Sequence, residues 1–357
     1  RGNAAQTAGP GAGGRSPAVT LPADAPHLPL PRLGLGCASH GRDLSALEIE
    51  RLRALHLNHL RVDLRLDDPA YPVTLERAAR EAEAGGAGLE IALFTTADPR
   101  AELAALRPLV ERLRPKVRAW LCFPARERYA GGTEIAPVLA AAREQLAGLS
   151  PDAPFAAGTN NDYIFFKRSL PPLDLADEVT FAVCPQVHAF DNASLVETLE
   201  AQRAMARDAR RLGKPVAVSP LTLKMRFNPY ATAAPPPTPP GKLPPQVDER
   251  QMSLFAAAWT LGSIQALAEG GAGRLTCFET SGWRGVMETP AGSPPPFPAL
   301  PGAVFPLYHV LAAVGDFAGE SFVPLEVERP LETAALLLAD GSRRRLLAAN
   351  LTPQTRS

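Results

Sequence analysis

Charge imbalance is the first thing missing from this chain. Its 357 residues carry 37 Lys and Arg against 37 Asp and Glu, a formal net charge of zero. There is no dense basic block, and Arg343-Arg344-Arg345 is short enough to be a solvated strand or turn. Nucleic acids and membrane surfaces select a basic protein or patch, so neither partner is expected. Long apolar runs are missing too: no stretch of about 18 apolar residues occurs, which excludes a transmembrane helix. Cysteine is sparse. Cys37, Cys122, Cys184 and Cys277 stand far apart with no C-x-x-C spacing, which argues against a zinc ribbon or a redox pair. Each falls in an expected strand and reads as a reduced, buried small hydrophobe. That fits a reducing, cytoplasmic compartment.

Several catalytic signatures are also missing. No His-Glu-x-x-His occurs, and nothing in the spacing of Asp63, His188, Asp191 and Glu279 points to a metal. Ser219 has no Gly-x-Ser-x-Gly context, so a nucleophile elbow is not indicated. Gly34-x-Gly36 lacks the third glycine of a dinucleotide fingerprint, which leaves a doubly wound sheet as the weaker architecture. No metal and no cofactor are expected.

What is present is a repeat. Apolar runs that end in polar residues recur along the chain, as in His59-Leu-Arg-Val-Asp-Leu-Arg65, Phe181-Ala-Val-Cys-Pro-Gln-Val-His188 and Leu275-Thr-Cys-Phe-Glu-Thr280. Helical patterns separate most copies. Ser45 reads as an N-cap before Leu47, Ile49, Leu52 and Leu55, and Asp98-Pro99 opens a helix with Pro at N1. Eight strands are expected, over about 33–39, 60–66, 89–95, 117–123, 155–159, 178–188, 215–223 and 274–280. Continuous helices are expected over 194–212 and 248–269, an irregular segment over 160–177 and a Pro-rich loop from Asn228 to Gln246. The alternation predicts an α/β fold, a (β/α)8 TIM barrel over residues 32–320, with its active site at the C-terminal ends of the strands. Residues 1–31 are rich in Ala, Gly and Pro and read as a disordered or linker lead-in. Residues 321–357 read as the start of a β-rich C-terminal domain. The first residue is Arg and the last strands stop early, so a trimmed chain is expected.

Strand parity gathers the candidate site residues. Residues two apart share a face, so Arg61, Asp63 and Arg65 point together, either as a structural network or as a grip on a polar ligand. Gln186 and His188 share a face of the sixth strand, and His188 is a candidate general base. Glu279 is the one carboxylate at the end of the eighth strand, with Trp283 four residues on. A carboxylate beside an aromatic wall suits acid–base work, and the structural alternative is a salt bridge to Arg284 or Arg226. Asn160 and Asn161 end the fifth strand as candidate substrate donors or turn formers. The fourth and seventh strand ends offer no carboxylate pair of the glycosidase kind; Glu127 lies further out.

Several segments resemble the TIM-barrel domain of the D-apionate lactonase-like family. They are Leu33-Gly-Leu-Gly36, His59-Leu-Arg-Val-Asp-Leu-Arg65, Pro185-Gln-Val-His-Ala-Phe-Asp191, Ser194-Leu-Val-Glu-Thr-Leu-Glu200, Arg226-Phe-Asn-Pro229, Asp248-Glu-Arg-Gln-Met-Ser253 and Glu279-Thr-Ser-Gly-Trp-Arg-Gly285. The resemblance implies a glycosidase-like barrel that hydrolyses a small sugar-acid lactone in bacterial catabolism of the branched pentose apiose. From strand position, Glu279 or His188 is the expected base, Arg61, Arg65 or Asn160 the oxyanion stabiliser, and Asp63 an orienting group. Gln186, Asn161, Trp283 and Arg226 complete the expected binding set. A glycoside hydrolase with displaced carboxylates and a non-catalytic carbohydrate-binding barrel are the alternatives.

Overall fold

A computed structural model describes residues 17–124, 132–229 and 237–355. Two short strands, β1 (Val19–Thr20) and β2 (Leu28–Pro29), come first. The alternating series then begins with β3 (Arg32–Gly36), α1 (Ala46–Arg53), β4 (His59–Arg65), α2 (Tyr71–Ala84) and β5 (Gly88–Thr95). It continues through α3 (Pro99–Leu113), β6 (Val117–Pro124), α4 (Gly132–Leu146), β7 (Phe155–Gly158), α5 (Tyr163–Arg168) and β8 (Glu178–Val183). It ends with α6 (Asn192–Arg210), β9 (Val216–Leu221), α7 (Leu254–Glu269), β10 (Arg274–Glu279) and α8 (Pro306–Gly315). After it come β11 (Ser321–Val323), β12 (Glu326–Val327), β13 (Thr333–Ala339) and β14 (Arg344–Asn350).

Strands β3 to β10 close into a parallel barrel, with β10 pairing back onto β3. This is the (β/α)8 architecture that the alternation predicts. Local chemistry explains its punctuation. Ser45 and Glu48 form a reciprocal capping box at the start of α1. Asp98 caps α3 by accepting from the Ala101 N–H, with Pro99 at the first helical position. Helix α7 is buried along nearly its whole length because α6, α8 and the appended sheet surround it, which is why its sequence is apolar on every side.

The structure departs from the sequence reading in several places. β8 stops at Val183, well short of His188: Pro185 follows and has no N–H to give a ladder. Gln186 makes only an isolated bridge to Lys224, so Gln186 and His188 do not share a strand face. β3 likewise ends before Cys37, leaving Cys37 and Cys184 outside the strands and half-buried, whereas Cys122 and Cys277 are buried within them. The expected irregular stretch 160–177 holds α5, nucleated when Asp162 accepts from the Ile164 and Phe165 N–H groups. The expected helix over 248–269 is broken into a 3-10 turn, Glu249–Met252, and α7, which Ser253 caps. The expected linker 1–31 does not hold for its second half: β1 pairs with β12, and β2 joins the sheet ordered β14-β13-β11-β2. Residues 1–16 and part of the Pro-rich loop, 230–236, lie outside the described residues. No described helix is long and apolar enough to cross a membrane.

Below the mouth, the barrel interior carries a polar stack. The imidazole of His59 (β4) meets Thr276 Oγ1 at 2.8 Å. Glu90 (β5) accepts from Thr276 Oγ1 at 2.9 Å, from Arg274 Nε at 2.7 Å and from the Ser219 hydroxyl. Arg274 also reaches Glu178 at 2.6 Å. Gly34 makes room for this stack, since a Cβ there would sit 2.2 Å from His59 Nε2. Burial opposes the charge of Glu90, yet the charge that His59 takes up at low pH, then Arg274, Arg61 and the Ser219 hydroxyl, keep its pKa well below the usual carboxylate range.

Burial moves His59 most. It lowers the pKa to about 4 against the pull of Glu90, with Arg274, Arg32 and Arg61 adding to the drop. His59 is therefore neutral in the fold at pH 7, while the unfolded chain holds an imidazole titrating near about 6.5. The unfolded state takes up about one more proton across that window, so stability falls as pH drops from about 6.5 to about 4 and loses nothing further from this group below it. Denaturation midpoints measured across that range should fall less steeply for His59→Gln than for the wild type. An identical slope in both proteins would contradict a neutral, buried His59.

Candidate active site

Arg61 organises the mouth. Its side chain is 2% exposed and crosses the barrel from β4. Nε donates to Asp63 Oδ1 at 2.8 Å, Nη1 to the Ser219 carbonyl at 2.6 Å and hydroxyl at 2.9 Å, and Nη2 to Asn160 Oδ1 at 2.7 Å. Arg226 closes a ring on the other side, donating to Asp63 Oδ2 at 2.9 Å and to the Asn160 side-chain oxygen. Asp63 keeps 37% of its side chain exposed to the cavity. Partial burial pushes its carboxyl up, but Arg61 and Arg226 outweigh that and hold it at about 2. Asp63 is a permanently ionised bracket between two arginines.

Glu279 is built differently. At the end of β10, Phe278 adopts φ +56°, a left-handed conformation that costs an aromatic residue about 1–3 kcal/mol. The pairing of β10 with both neighbours shifts register nearby. The kink brings both Phe278 and Glu279 to the cavity, where a regular strand would send one away. Gly36 permits the approach, because a Cβ there would lie 2.9 Å from the Phe278 carbonyl. Glu279 is 14% exposed, ion-paired to Arg284 at 2.5 Å, and accepts the Ser39 N–H at 3.0 Å. Its loop is pinned by Glu279 N to Arg284 O, Val286 N to Glu279 O, and Gln251 Nε2 to Gly285 O.

These groups surround a cavity of about 410 Å³ at the C-terminal mouth. Arg61, Asp63, Arg65, Asn160, Arg226, Glu279 and Trp283 all line it. Arg65 lies over the Phe94 ring, 4.9 Å from its centroid. Three expected residues are elsewhere. His188 is exposed and outside the lining, because the chain has turned away at Pro185. Asn161 is buried behind Asn160, its carbonyl accepting the Ala182 N–H. Gln186 is buried one layer back, donating to Asp248 at 2.6 Å and to the Leu223 carbonyl at 2.8 Å while accepting from Arg250.

Sequence reasoning missed Asp248, Lys224 and Arg77 on the lining, and Glu90 and Arg274 beneath it. Glu90 left a signal: a lone carboxylate inside the apolar run Gly88–Thr95 must be paired when that run is buried. Asp248 left none, since an acidic residue at the head of a helical pattern reads as a cap. Cys37 touches the cavity, but burial, reinforced by Glu81, raises its pKa far above the usual thiol range, so it is not a nucleophile at neutral pH. Ser281 and His40 also pair, at 2.9 Å, yet His40 Nδ1 accepts the Arg42 N–H. That fixes the proton on Nε2, facing the serine, which is the wrong tautomer for a base. Among the described residues no three His, Cys, Asp or Glu gather as a metal site.

Residues 33–319 match the family model described as D-apionate lactonase, TIM barrel domain. The chain belongs to that family. The D-apionate lactonase of Brucella anthropi is 30% identical over 184 residues, which is 50% of this chain and 29% of the relative. The chain thus spans well under half the length of the curated relative it matches. Among solved structures, a family 51 alpha-L-arabinofuranosidase from Bifidobacterium longum aligns with TM-score 0.65 at 13% identity, covering 96% of this chain and 86% of its own. A bifunctional glucanase-xylanase from a metagenome library aligns at 0.64 and 9%, covering 95% and 88%. A GH30 endoxylanase from Clostridium papyrosolvens aligns at 0.60 and 11%, covering 93% and 84%. At such identities the likeness is of fold. The family's barrel is glycosidase-like in shape, and its mouth here is built around Arg61.

Removing Arg61 leaves Asp63 and Asn160 to Arg226 alone and the Ser219 oxygens without their buried donor. Arg61→Leu should cost about 1–3 kcal/mol, as for buried acceptors left without a donor. Urea denaturation measures it, and a loss below about 1 kcal/mol would contradict the bracket described here.

Proposed function

We propose that this cavity opens a small sugar-acid lactone of the D-apionolactone kind by general-base attack of water on the ring carbonyl. The carrying observation is the environment of Glu279 within a barrel of the D-apionate lactonase family: a carboxylate at the end of β10, reaching a cation-rich cavity. Water attacks the carbonyl carbon and gives its proton to Glu279. The carbonyl oxygen gains negative charge, which the surrounding cations stabilise. The ring C–O bond then breaks, and Glu279 returns the proton to the departing alkoxide. The product is the open-chain hydroxy acid. Arg284 and the Ser39 N–H orient Glu279, and Asp63 holds Arg226 at the cavity wall. This reading gives the protein a step in the breakdown of the branched sugar apiose.

A glycoside hydrolase is the second reading, favoured by Asp63 and Glu279 lining one cavity. Its general acid needs a raised pKa, and Asp63, held at about 2 between two arginines, does not supply one. β9 ends in Ser219-Pro220-Leu221 with no carboxylate, and Glu127 lies outside the described residues.

Proton release from a panel of aldonolactones, D-apionolactone included, tests the lactonase reading once spontaneous opening is subtracted. The full-length protein should accelerate opening of at least one lactone. Glu279→Gln should lose about 10²–10⁴-fold of the rate while remaining folded. If every lactone opens at the background rate while an aryl glycoside is cleaved, the second reading replaces the first.

A further inference from the structure

The charges around the cavity do not balance. Among the described lining residues, six cations face three carboxylates. Five of the cations are committed to neighbours. Arg61 and Arg226 share Asp63, Arg284 holds Glu279, Arg77 donates to the Gly41 carbonyl, and Arg65 lies over Phe94. Lys224 differs: among the described residues its ammonium makes neither an ion pair nor a hydrogen bond.

The backbone that presents Lys224 is nevertheless fixed. Its carbonyl accepts from Thr222 Oγ1 at 2.7 Å, and the residue bridges Gln186. The Gln186 amide donates to the preceding Leu223 carbonyl and to Asp248, tying the two ends of the β9–α7 connection to the segment after β8. The result is a half-buried lysine just beyond β9, at the barrel end where ligands bind. A lysine head group is a compact charge on a flexible stem, suited to a single anion. Surplus positive charge in a cleft with low-dielectric walls focuses the field on that anion. Asp248 and Trp283 line the same cavity and offer a hydroxyl acceptor and an aromatic face.

We propose that Lys224 anchors the carboxylate of a small polyhydroxylated acid in this cavity. The inference rests on the lactonase reading for one point, that the acid is the ring-opened product; the charge argument stands without it.

Calorimetric titration of the full-length protein with D-apionate, D-erythronate and D-gluconate tests it, with D-sorbitol as the uncharged control. At least one of the acids should bind, sorbitol should not, and added salt should weaken the binding. Lys224→Met should weaken it about tenfold or more, the loss of one charge-assisted contact, with an unchanged near-ultraviolet circular dichroism spectrum. Lys224→Arg should retain most of it. Binding of none of the acids, sorbitol binding as tightly as the acids, or undiminished binding by Lys224→Met would each overturn the proposal. The two readings separate cleanly. Lys224-dependent binding of an acid without lactone opening keeps this inference and removes the lactonase. Lactone opening with the same KM and product inhibition in Lys224→Met does the reverse.

Discussion

One guanidinium joins the core of this barrel to its mouth. Arg61 is almost wholly buried, and its donors reach Asp63, Ser219 and Asn160 on three different strand ends. Below it, Ser219 passes the connection to Glu90, Thr276, His59 and Arg274. Above it, Asp63 and Asn160 pass it to Arg226. Charges of alternating sign run from the floor of the barrel to the cavity. Such a chain adds little net stability over an apolar core, but removing one member leaves its partners charged and dry. It therefore fixes geometry: the strand ends that carry the site are tied to one another through their side chains as well as through the sheet.

The same constraint separates Asp63 from Glu279, two of the three carboxylates on the described cavity lining. Asp63 is gripped by two arginines and cannot take a proton near neutral pH. Glu279 has one arginine and one backbone N–H, and it stands on a strained residue that turns it into the cavity. Under the proposed mechanism the two divide the work, Asp63 orienting an arginine and Glu279 acting as the base. The strain at Phe278 persists because the loop from Glu279 to Val286 is closed by its own backbone hydrogen bonds.

Much of this was legible in the sequence, for physical reasons. Alternating strand and helix patterns gave the barrel, because each buried strand needs an apolar run and each crossover an amphipathic one. Strand parity found Arg61, Asp63 and Arg65, and the lone carboxylate at a strand end found Glu279. The failures have causes as well. Continuing β8 to His188 ignored Pro185, which ends the ladder and sends the histidine outward. Reading residues 17–31 as a linker ignored that two-residue strands such as Leu28–Pro29 leave no periodicity to detect. The net positive charge of the cavity was invisible, because the whole chain is neutral and Lys224, Arg284 and Arg77 come from separate elements.

The most direct test of the account is a crystal structure of the protein with the ring-opened acid bound. The account predicts the acid in the cavity at the C-terminal mouth, its carboxylate on Lys224 and its carbon chain within reach of Glu279 and Trp283. An acid seated elsewhere, such as the groove between α7, α8 and β14, with the mouth cavity unchanged, would contradict it.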